Sequence, residues 1–418
     1  MQDHRALLVS LFDAAVEAAN PEHCLRPFLP EVPRGRTIVV GAGKGSAQLA
    51  RALERIWPGK LEGAVVTRYG YAAACDHIEV LEASHPIPDA AGLRASERLL
   101  SLVQGLTPDD LVIALVCGGG SALLPAPSAG LDLADEIALN EALLHSGAPI
   151  SAMNAIRKQF SRIKGGRLAV AAHPAKVVTL VVSDIPGDDP ALVSSGPTIP
   201  SSATLRDAIA MIDRYKIDLP EKLLRYLDSA DSAPKTDDSV FEGHSVHVVA
   251  SAKVSLEAAA AAAAQAGVRA AILSDSLEGE AREAGAFHGA ITREIESNGR
   301  PFERPVVLLS GGETTVTVSG KGKGGRNTEF LLSLALNIQN TQGVHALAAD
   351  TDGIDGSEDN AGAFVDSTTI DRMLSAHIRA EDFLMNNDAW SAFSAVSDLF
   401  VCGPTGTNVN DFRAILIT

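Results

Sequence analysis

The sequence has 418 residues, which is too long for one ordinary hydrophobic core and predicts two or three domains. Hydrophobic residues make up 46% of the chain and charged residues 21%, a balance that is typical of a globular protein and excludes extensive disorder. The formal net charge of −17 repels nucleic-acid phosphates, so we expect no nucleic-acid partner. An anionic substrate would need a local cationic pocket.

The cysteine spacing and the N-terminal pattern indicate the cellular compartment. The four cysteines lie far apart and form no CxxC pair, which predicts reduced, structural thiols rather than a disulfide framework or a zinc site. Asp13 and Glu17 interrupt the apolar residues of the first twenty positions at helical spacing, which argues against a signal peptide. The alanine-rich stretch 258–266 is too short to span a bilayer. We therefore expect a cytoplasmic protein that does not enter a membrane.

The first half of the chain alternates short aliphatic strands with longer helices, the pattern of a parallel α/β sheet. The predicted helices are 4–19, 47–56, 90–102, 133–146 and 150–167, and the predicted strands are 37–40, 63–67, 78–82, 111–116 and 176–182. Glycine-rich or acidic turns follow several of these strands, at the edge where open α/β sheets bind ligands.

Residues 200–242 interrupt this alternation. They contain a predicted helix at 205–215 and a polar stretch at 228–239 that we interpret as a loop or linker. A second block follows, with predicted strands at 246–250, 270–274, 306–310, 314–319 and 414–418, helices at 253–266, 280–297 and 330–337, and an apolar segment at 346–350 before an acidic loop. The predicted domains are residues 1–240, with an N-terminal helix free to pack elsewhere, and residues 241–418.

The first glycine-rich loop, Gly41–Ser46, lies between a strand and a helix, where backbone N–H groups can approach an anion. It lacks the P-loop spacing because Lys44 comes too early, and it lacks the dinucleotide fingerprint because Ser46 replaces the third glycine. The second strand ends near Arg68 rather than at an acidic residue, which would suit NADP better than NAD. A phosphate-binding loop, a reductase and a plain tight turn all remain open.

Two further loops follow predicted strands of the first block. The run Gly118-Gly119-Gly120-Ser121 costs backbone entropy, which either a ligand-binding loop or a tight turn would justify. Asp184, Asp188 and Asp189 follow the strand 176–182. Carboxylates there can hold Mg²⁺ together with substrate phosphates or act as a general base, and turn formation is the alternative.

The second block has its own glycine-rich loops. Gly312-Glu313 follows a strand, and the stretch 320–327 places Lys323 and Arg326 among glycines, which favours an anion site in an acidic protein. The Arg326 guanidinium, at a helix start, can clamp a carboxylate or phosphate with two bonds.

The acidic loop 350–356 begins like a calcium-binding loop but has Ala361 at its twelfth position, so Asp352 fits Mg²⁺ or a substrate hydroxyl better. In the loop 403–411, threonine and asparagine side chains can contact phosphate or substrate. His85, a lone loop histidine, is assigned no chemical role.

In their order along the chain, these loops resemble those of class II glycerate 2-kinases, which carry the MOFRL domain at the C-terminus. The resemblance covers about residues 5–418 and includes GAGKGS, EASHPIPDAAG, VCGGGSALLPAP, NAIRKQFSRIKGGRLA, SDIPGDDPALVSSGPT, LLSGGETTVTVSGKGKGGRNTEF, ADTDGIDGSEDNAGA and GPTGTNVNDF. It implies an N-terminal Rossmann-like domain, a C-terminal α/β MOFRL domain and an active site in the cleft between them. It also implies transfer of the ATP γ-phosphoryl group to the 2-hydroxyl of D-glycerate, with Mg²⁺.

With this resemblance, the expected catalytic residues are Lys44, Arg326, Asp189 and Asp352. Lys44 and Arg326 would neutralise charge on the substrates, Asp189 or Asp352 would accept the hydroxyl proton, and Mg²⁺ would be held by one or more of Asp184, Asp189 and Asp352. The residues expected to contact nucleotide or phosphate are Gly43, Gly45, Ser46, Gly118, Gly119, Gly120, Ser121, Gly312, Glu313, Lys323 and Asn327.

The expected partners are therefore the small molecules glycerate and ATP, and a homodimer is the candidate assembly. Two alternatives stay open. One is an NAD(P)H-dependent hydroxypyruvate reductase, a name that members of this family often carry. The other is a non-catalytic sensor of nucleotides or sugar acids.

Overall fold

The computed structural model describes residues 3–418, which form two compact units. One unit is Pro21–Val249, and the other combines the described residues up to Asn20 with Ala250–Thr418. Two six-stranded sheets flanked by helices form the framework, so the predicted α/β class is confirmed.

The first sheet is assembled from six strands: β1 Thr37–Ala42, β2 Glu62–Arg68, β3 Ile78–Ala83, β4 Leu111–Cys117, β5 Lys176–Val182 and β6 Ser245–Ala250. Their order is β3-β2-β1-β4-β5-β6, and the pairs from β3 through β5 are parallel. Both β1 and β4 are buried along their whole length, as expected for central parallel strands covered on both faces. In a sheet of this order the crossovers diverge between β1 and β4, and their carboxyl ends border a crevice.

Helices of this first unit lie before, between and after the strands. They are α2 Pro21–Leu25, α3 Ser46–Ile56, α4 Ala90–Leu102, α5 Gly120–Leu123, α6 Leu133–His145, α7 Ile150–Arg157, α8 Arg167–Ala172, α9 Leu205–Tyr215 and α10 Glu221–Leu227. The prediction of one helix over 150–167 is wrong. The α7 helix ends at Arg157, a 3-10 turn follows to Phe160, and the extended backbone of Ser161 ends the helical segment before Gly165 and Gly166, whose φ angles are positive.

The strand at 246–250 was predicted to open the second block, but it lies beside β5 in the first sheet as β6. The helix α10, just before the polar stretch 228–239, was not predicted.

The second sheet is mixed. Its strands are β7 Arg269–Leu277, β8 Val306–Gly312, β9 Val344–Asp350, β10 Gly362–Asp366, β11 Leu399–Phe400 and β12 Asp411–Ile417, in the order β11-β10-β9-β12-β8-β7. Only the β7–β8 pair is parallel among the described strands of this sheet. The strand predicted at 314–319 is absent there, because the segment makes a single bridge, from Thr315 to Glu280.

The helices of the second unit are α1 His4–Ala18, α11 Ala252–Gln265, α12 Ala281–Asn298, α13 Arg326–Asn337, α14 Thr369–Ser375, α15 Ala380–Met385 and α16 Ala389–Ala395. The N-terminal helix α1 packs against α11 and the second sheet. Leu8, Leu11 and Phe12 are buried in that core, and the Ser255 hydroxyl donates to the Ala15 carbonyl at 2.7 Å. Among residues 3–418, no helix combines the length and the apolar character that crossing a membrane requires.

Candidate functional site

The glycine-rich loop after β1 meets the loop after β4 at the crevice of the first sheet. The Lys44 N–H donates to the Gly118 carbonyl at 2.9 Å, and the Gly43 N–H donates to the Val66 carbonyl at 3.1 Å. Gly43 has a φ of +130°, and a Cβ there would lie 2.4 Å from the Cys117 carbonyl oxygen. Only glycine at position 43 permits this close approach of the two loops. The approach holds the backbone of the next residue, Lys44, at the carboxyl end of β1.

Asp184 lies directly against the glycine run that follows β4. A Cβ on Gly118 would fall 1.6 Å from Asp184 Oδ2, which leaves no room for a larger residue. A Cβ on Gly119 would fall 3.1 Å from both the Lys44 Cγ and the His85 Nε2. The crevice therefore brings together Lys44, the glycine run, Asp184 and His85.

His85, to which the sequence assigns no role, lies near the Lys44 stem beside Gly119. Burial lowers the pKa of His85, and the positive charges of Lys44 and Arg68 lower it further. A neutral imidazole is therefore expected here at neutral pH.

Ser121, at the end of the glycine run, connects to a strained turn. Its hydroxyl lies 2.7 Å from the Ser195 hydroxyl, which in turn donates to Asn154 Oδ1 at 2.8 Å. Ser194 and Ser195 have φ angles of 52° and 60°, a left-handed backbone that non-glycine residues rarely adopt. Such strain concentrates at functional sites. Ser195 and Asn154 lie outside the predicted set, and their spacing in the sequence gave no signal.

Asp189, predicted as base or metal ligand, is exposed and accepts the Ala191 N–H at 2.9 Å. This is the turn geometry that was the alternative reading of the acidic segment. One carboxylate oxygen remains for other contacts. Asp184 and Asp189 belong to the first unit and Asp352 to the second.

In the second unit, Arg326 is surrounded by carboxylates. It donates to Glu313 Oε1 at 2.8 Å and to Asp350 Oδ2 at 2.6 Å, and its Nη2 lies 3.2 Å from Asp411 Oδ1. Burial acts to lower the pKa of Arg326, but Asp411, Asp350 and Glu313 raise it overall. Because one cation faces three carboxylates, an incoming anion must displace at least one of them, and Glu313 is the most exposed of the three.

Asp411 is the buried centre of this group. It accepts hydrogen bonds from the Asn327 side chain, from Thr314 and from Arg413, whose Nη2 lies 2.5 Å away. Asp411 and Arg413 are both completely shielded from solvent. The predicted phosphate contact Asn327 is also buried, and its side chain supports Asp411 in this arrangement. Arg413 and Asp411 were not predicted as site residues.

The N-terminus of α13, where Arg326 stands, is already capped by a carboxylate. Asp355 Oδ1 accepts the Asn327 N–H at 2.9 Å and Asp355 Oδ2 accepts the Thr328 N–H at 2.8 Å. These N–H groups would otherwise be the natural place for a phosphate. Any anion held near Arg326 must therefore bind side chains rather than this helix end.

Asp350 is the last residue of β9, and Asp352 lies in the acidic loop that follows. The Asp352 N–H donates to Asp350 Oδ1 at 3.1 Å, and Asp352 Oδ1 accepts the Ile354 N–H at 2.9 Å. Burial raises the pKa of Asp350 to about 8, and the charges of Asp352 and Asp411 add to the effect.

The backbone of the glycine-rich loop 320–325 is hydrogen-bonded to the segment between α15 and α16. The Gly320 N–H donates to Asn387 Oδ1 at 2.9 Å, and the Lys323 N–H donates to Asp388 Oδ1 at 2.9 Å. The Lys323 ammonium lies 3.3 Å from Glu358 Oε2. The loop lines a cavity of about 330 Å³ together with Arg326 and Asp350. Gly312, at the end of β8, lies too close to Leu277 to accept a side chain.

These features define a doubly wound α/β protein, with glycine-rich loops and a lysine at the switch point of its first sheet. Family comparison then assigns the chain. The model described as "Domain of unknown function (DUF4147)" matches residues 7–228, and that of the MOFRL family matches residues 306–411.

Individual relatives are similar over nearly their full length. A D-glycerate 2-kinase of Thermotoga maritima is 37% identical, covering 99% of this chain and 98% of that protein. A protein of Agrobacterium vitis, provisionally named a hydroxypyruvate reductase, is 52% identical over 99% of this chain and 94% of its own. The crystal structure of a Thermotoga maritima glycerate kinase superposes with a TM-score of 0.92 at 37% identity, covering both chains completely. The chain belongs to the class II glycerate 2-kinase family.

Proposed function

We propose that the protein is a D-glycerate 2-kinase, which transfers the γ-phosphoryl group of ATP to the 2-hydroxyl of D-glycerate and releases 2-phosphoglycerate and ADP. The observation that carries the proposal is the crevice between β1 and β4. There Lys44, the glycine run and Asp184 stand together at the position where doubly wound sheets hold nucleotides. The relative of Thermotoga maritima named D-glycerate 2-kinase supports the choice of reaction.

Each crevice residue has a part in this proposal. Lys44 is half-buried beside the glycine run, and its ammonium would neutralise the charge developing on the transferred phosphoryl group. The glycine run lets backbone N–H groups approach phosphate oxygens without side chains in the way. In the second unit, Arg326 is held in a fixed orientation by its carboxylates and offers a planar donor to an oxyanion that replaces Glu313.

Magnesium fits the crevice through Asp184. Mg²⁺ in nucleotide sites is usually held by one or two carboxylates together with substrate phosphates, so a single carboxylate beside a phosphate-binding loop suffices. No group of three or more metal-binding side chains occurs among residues 3–418. When bound, the ion would supply charge neutralisation and orientation of the phosphates. Asp184 would hold it, and Asp189 or Asp352 would accept the hydroxyl proton.

A hydroxypyruvate reductase is the second candidate, favoured by the provisional name of the Agrobacterium vitis relative. Two residues at the positions that would bind a dinucleotide are engaged in other contacts. Ser46, in place of the third glycine, is buried and its hydroxyl donates to the Val66 carbonyl at 2.8 Å. Arg68 stacks on Tyr71, with 3.5 Å between the guanidinium carbon and the ring centroid, instead of standing free for a 2′-phosphate.

One pair of assays separates the two reactions. Purified protein is given D-glycerate with Mg-ATP while ADP is followed, and separately hydroxypyruvate with NADPH or NADH while oxidation is followed. The kinase predicts ADP formation that depends on glycerate and is abolished by chelation of Mg²⁺. Oxidation of the nicotinamide without any ADP would overturn the proposal.

Two single substitutions extend the assay. In folded protein, Lys44→Ala and Arg326→Ala should each reduce turnover by at least about a hundredfold, since each removes a charge from the reacting groups. Near-normal turnover would remove that residue from the mechanism.

The thiols of Cys24, Cys75, Cys117 and Cys402 are all free, which supports the cytoplasmic location that we also propose.

A further inference from the structure

Two consecutive buried cations of the first unit lack an ion-pair partner. Arg157 is 8% exposed and Lys158 is 3% exposed. Arg157 donates to Asn140 Oδ1 at 2.8 Å and to Asn154 Oδ1 at 3.0 Å, and Lys158 donates to the Ala191 carbonyl at 2.8 Å. Within residues 3–418, neither side chain forms a salt bridge with a carboxylate. The hydrogen bonds of both side chains therefore go to neutral oxygens.

A third buried cation of the same unit, Lys164, does have a carboxylate partner. Lys164 is fully buried, and its ammonium lies 2.5 Å from Glu136 Oε1. That carboxylate also accepts the Ala126 N–H at 3.0 Å through its second oxygen. Here the fold supplies a counter-ion and satisfies it, as buried charges ordinarily require. The first unit thus supplies a carboxylate to buried Lys164 but not to Arg157 or Lys158.

Burial disfavours both charges. It lowers the pKa of Lys158 to about 8, against the attraction of the more distant Asp189. Burial likewise lowers the pKa of Arg157, against the attraction of Glu136. Unpaired buried charge reduces stability, and such groups are found where a function requires them.

The two cations lie at the edge of the candidate site. Asn154, which accepts from Arg157, also accepts from Ser195, and Ser195 contacts Ser121 at the end of the glycine run. Asn154 donates in turn to the Leu192 carbonyl at 3.0 Å. The Ala191 carbonyl accepts from Lys158 and the Leu192 carbonyl accepts from Asn154, and both residues are half-buried.

We propose that Arg157 and Lys158 form a receptor for a compact oxyanion group of a substrate, whose oxygen replaces the Ala191 carbonyl as the acceptor from Lys158. This inference rests on the proposed function, which requires two anionic substrates. The oxyanion is either the carboxylate of the hydroxy acid or a phosphate group of the nucleotide. Both have oxygens that can accept from an ammonium and from a planar guanidinium.

The test measures binding and stability together in charge-removing variants. Lys158→Gln keeps a hydrogen-bond donor toward Ala191 and removes the charge, whereas Lys158→Met removes both. Binding of D-glycerate, ADP and inorganic phosphate is measured by calorimetry, and the unfolding temperature is measured without ligand. The matched control is Lys222→Met, which removes an exposed lysine of the same unit whose ammonium lies 2.5 Å from Asp135.

We expect both Lys158 variants to bind one ligand class at least about tenfold more weakly while their unfolding temperature stays the same or rises, since a buried unpaired charge has been removed. Weaker binding of glycerate alone assigns the receptor to the carboxylate, and weaker binding of ADP and phosphate assigns it to the nucleotide. The control should bind all three ligands as the wild-type protein does.

A purely structural lysine gives the opposite pattern. The unfolding temperature would then fall in both variants, and the folded fraction would bind every ligand normally, which overturns the proposal. The kinase assignment fails separately, if wild-type protein forms no ADP with glycerate and ATP. Charge-dependent binding of an oxyanion at Lys158 would stand even then.

Discussion

Arg326 and Asp411 face each other across the second site, with 3.2 Å between Arg326 Nη2 and Asp411 Oδ1. Asp411 is fully buried, and its second oxygen accepts from Arg413. The orientation of the guanidinium proposed to meet substrate is therefore set by a carboxylate that substrate never touches. Asp411 acts as a positioning residue.

Asp411→Asn should impair both stability and turnover, although the side chains have the same shape. Each oxygen of Asp411 accepts from donors, Asn327 and Arg326 on one side, Thr314 and Arg413 on the other. An amide nitrogen on either side would face donors. We expect a loss of about 3–5 kcal/mol in the free energy of unfolding, as for a broken buried ion pair, measured by urea denaturation.

The control for that substitution is Glu313→Gln, on the exposed side of the same arginine. It should change the free energy of unfolding by less than about 1 kcal/mol, because exposed ion pairs contribute little. Equal losses in the two variants would show that Asp411 has no special part in holding Arg326.

Two glycines of the crevice should respond differently to alanine. In Gly118→Ala the new Cβ would overlap Asp184, so we expect lower stability and loss of activity together. In Gly45→Ala the nearest heavy atom is the Cys117 Sγ at 3.7 Å, an ordinary contact. We therefore expect Gly45→Ala to unfold at the wild-type temperature but to bind ADP more weakly, because the added methyl group would narrow the loop that we propose to hold the phosphates. Normal ADP binding by Gly45→Ala would contradict the phosphate site at this loop.

Lys164→Met should destabilise the first unit by about 3–5 kcal/mol, because it leaves Glu136 buried without its partner. The double variant Lys164→Met with Glu136→Gln should recover most of that loss, since the neutral amide still accepts from Ala126. Denaturant titration of the wild-type protein, both single variants and the double variant gives the coupling energy. Additive losses would mean that the two side chains do not act as a pair.

His288 predicts a specific sensitivity to acid. Burial lowers the pKa of its imidazole to about 4, with a further effect from Arg413. Above the unfolded pKa of about 6.5 both states are neutral, and as the pH falls toward 4 only the unfolded state takes up a proton, so stability is lost across that window. His288→Gln, which can still reach Ser310, should lose about 2–3 kcal/mol less between pH 7 and about pH 4.5 than the wild-type protein. Parallel acid sensitivity in both proteins would refute this origin.

Much of the fold was predictable because its strands are continuous aliphatic runs with glycines after them. The predicted helix 90–102 coincides with α4, and the strand 176–182 coincides with β5. The errors fall where local pattern and tertiary structure disagree. The segment 314–319 alternates like a strand but has no neighbouring strand to pair with over its length. The short helices α14 to α16 lack a long apolar period and were missed.

The site was predictable only where a motif follows a strand. Lys44, the glycine run and Asp184 could be proposed to converge because parallel strands end at one edge of a sheet. Asp411 and Arg413 gave no such signal, since their importance depends on antiparallel pairing of β12 with strands far away in sequence. Ser195 and Asn154 are 41 positions apart, and only the fold brings them to hydrogen-bonding distance.

The strand β12 follows every other strand of its sheet in the sequence, yet it lies between β9 and β8 and pairs with both. Until Asp411–Ile417 has been translated, the nascent sheet therefore has a gap between β9 and β8. The backbone N–H and C=O groups along the facing edges of these two strands then have no strand to pair with. Asp411 and Arg413, which organise the second site, belong to β12 and are therefore missing until that strand is made. Premature termination would yield an inactive chain whose unpaired strand edges are accessible to chaperones and proteases.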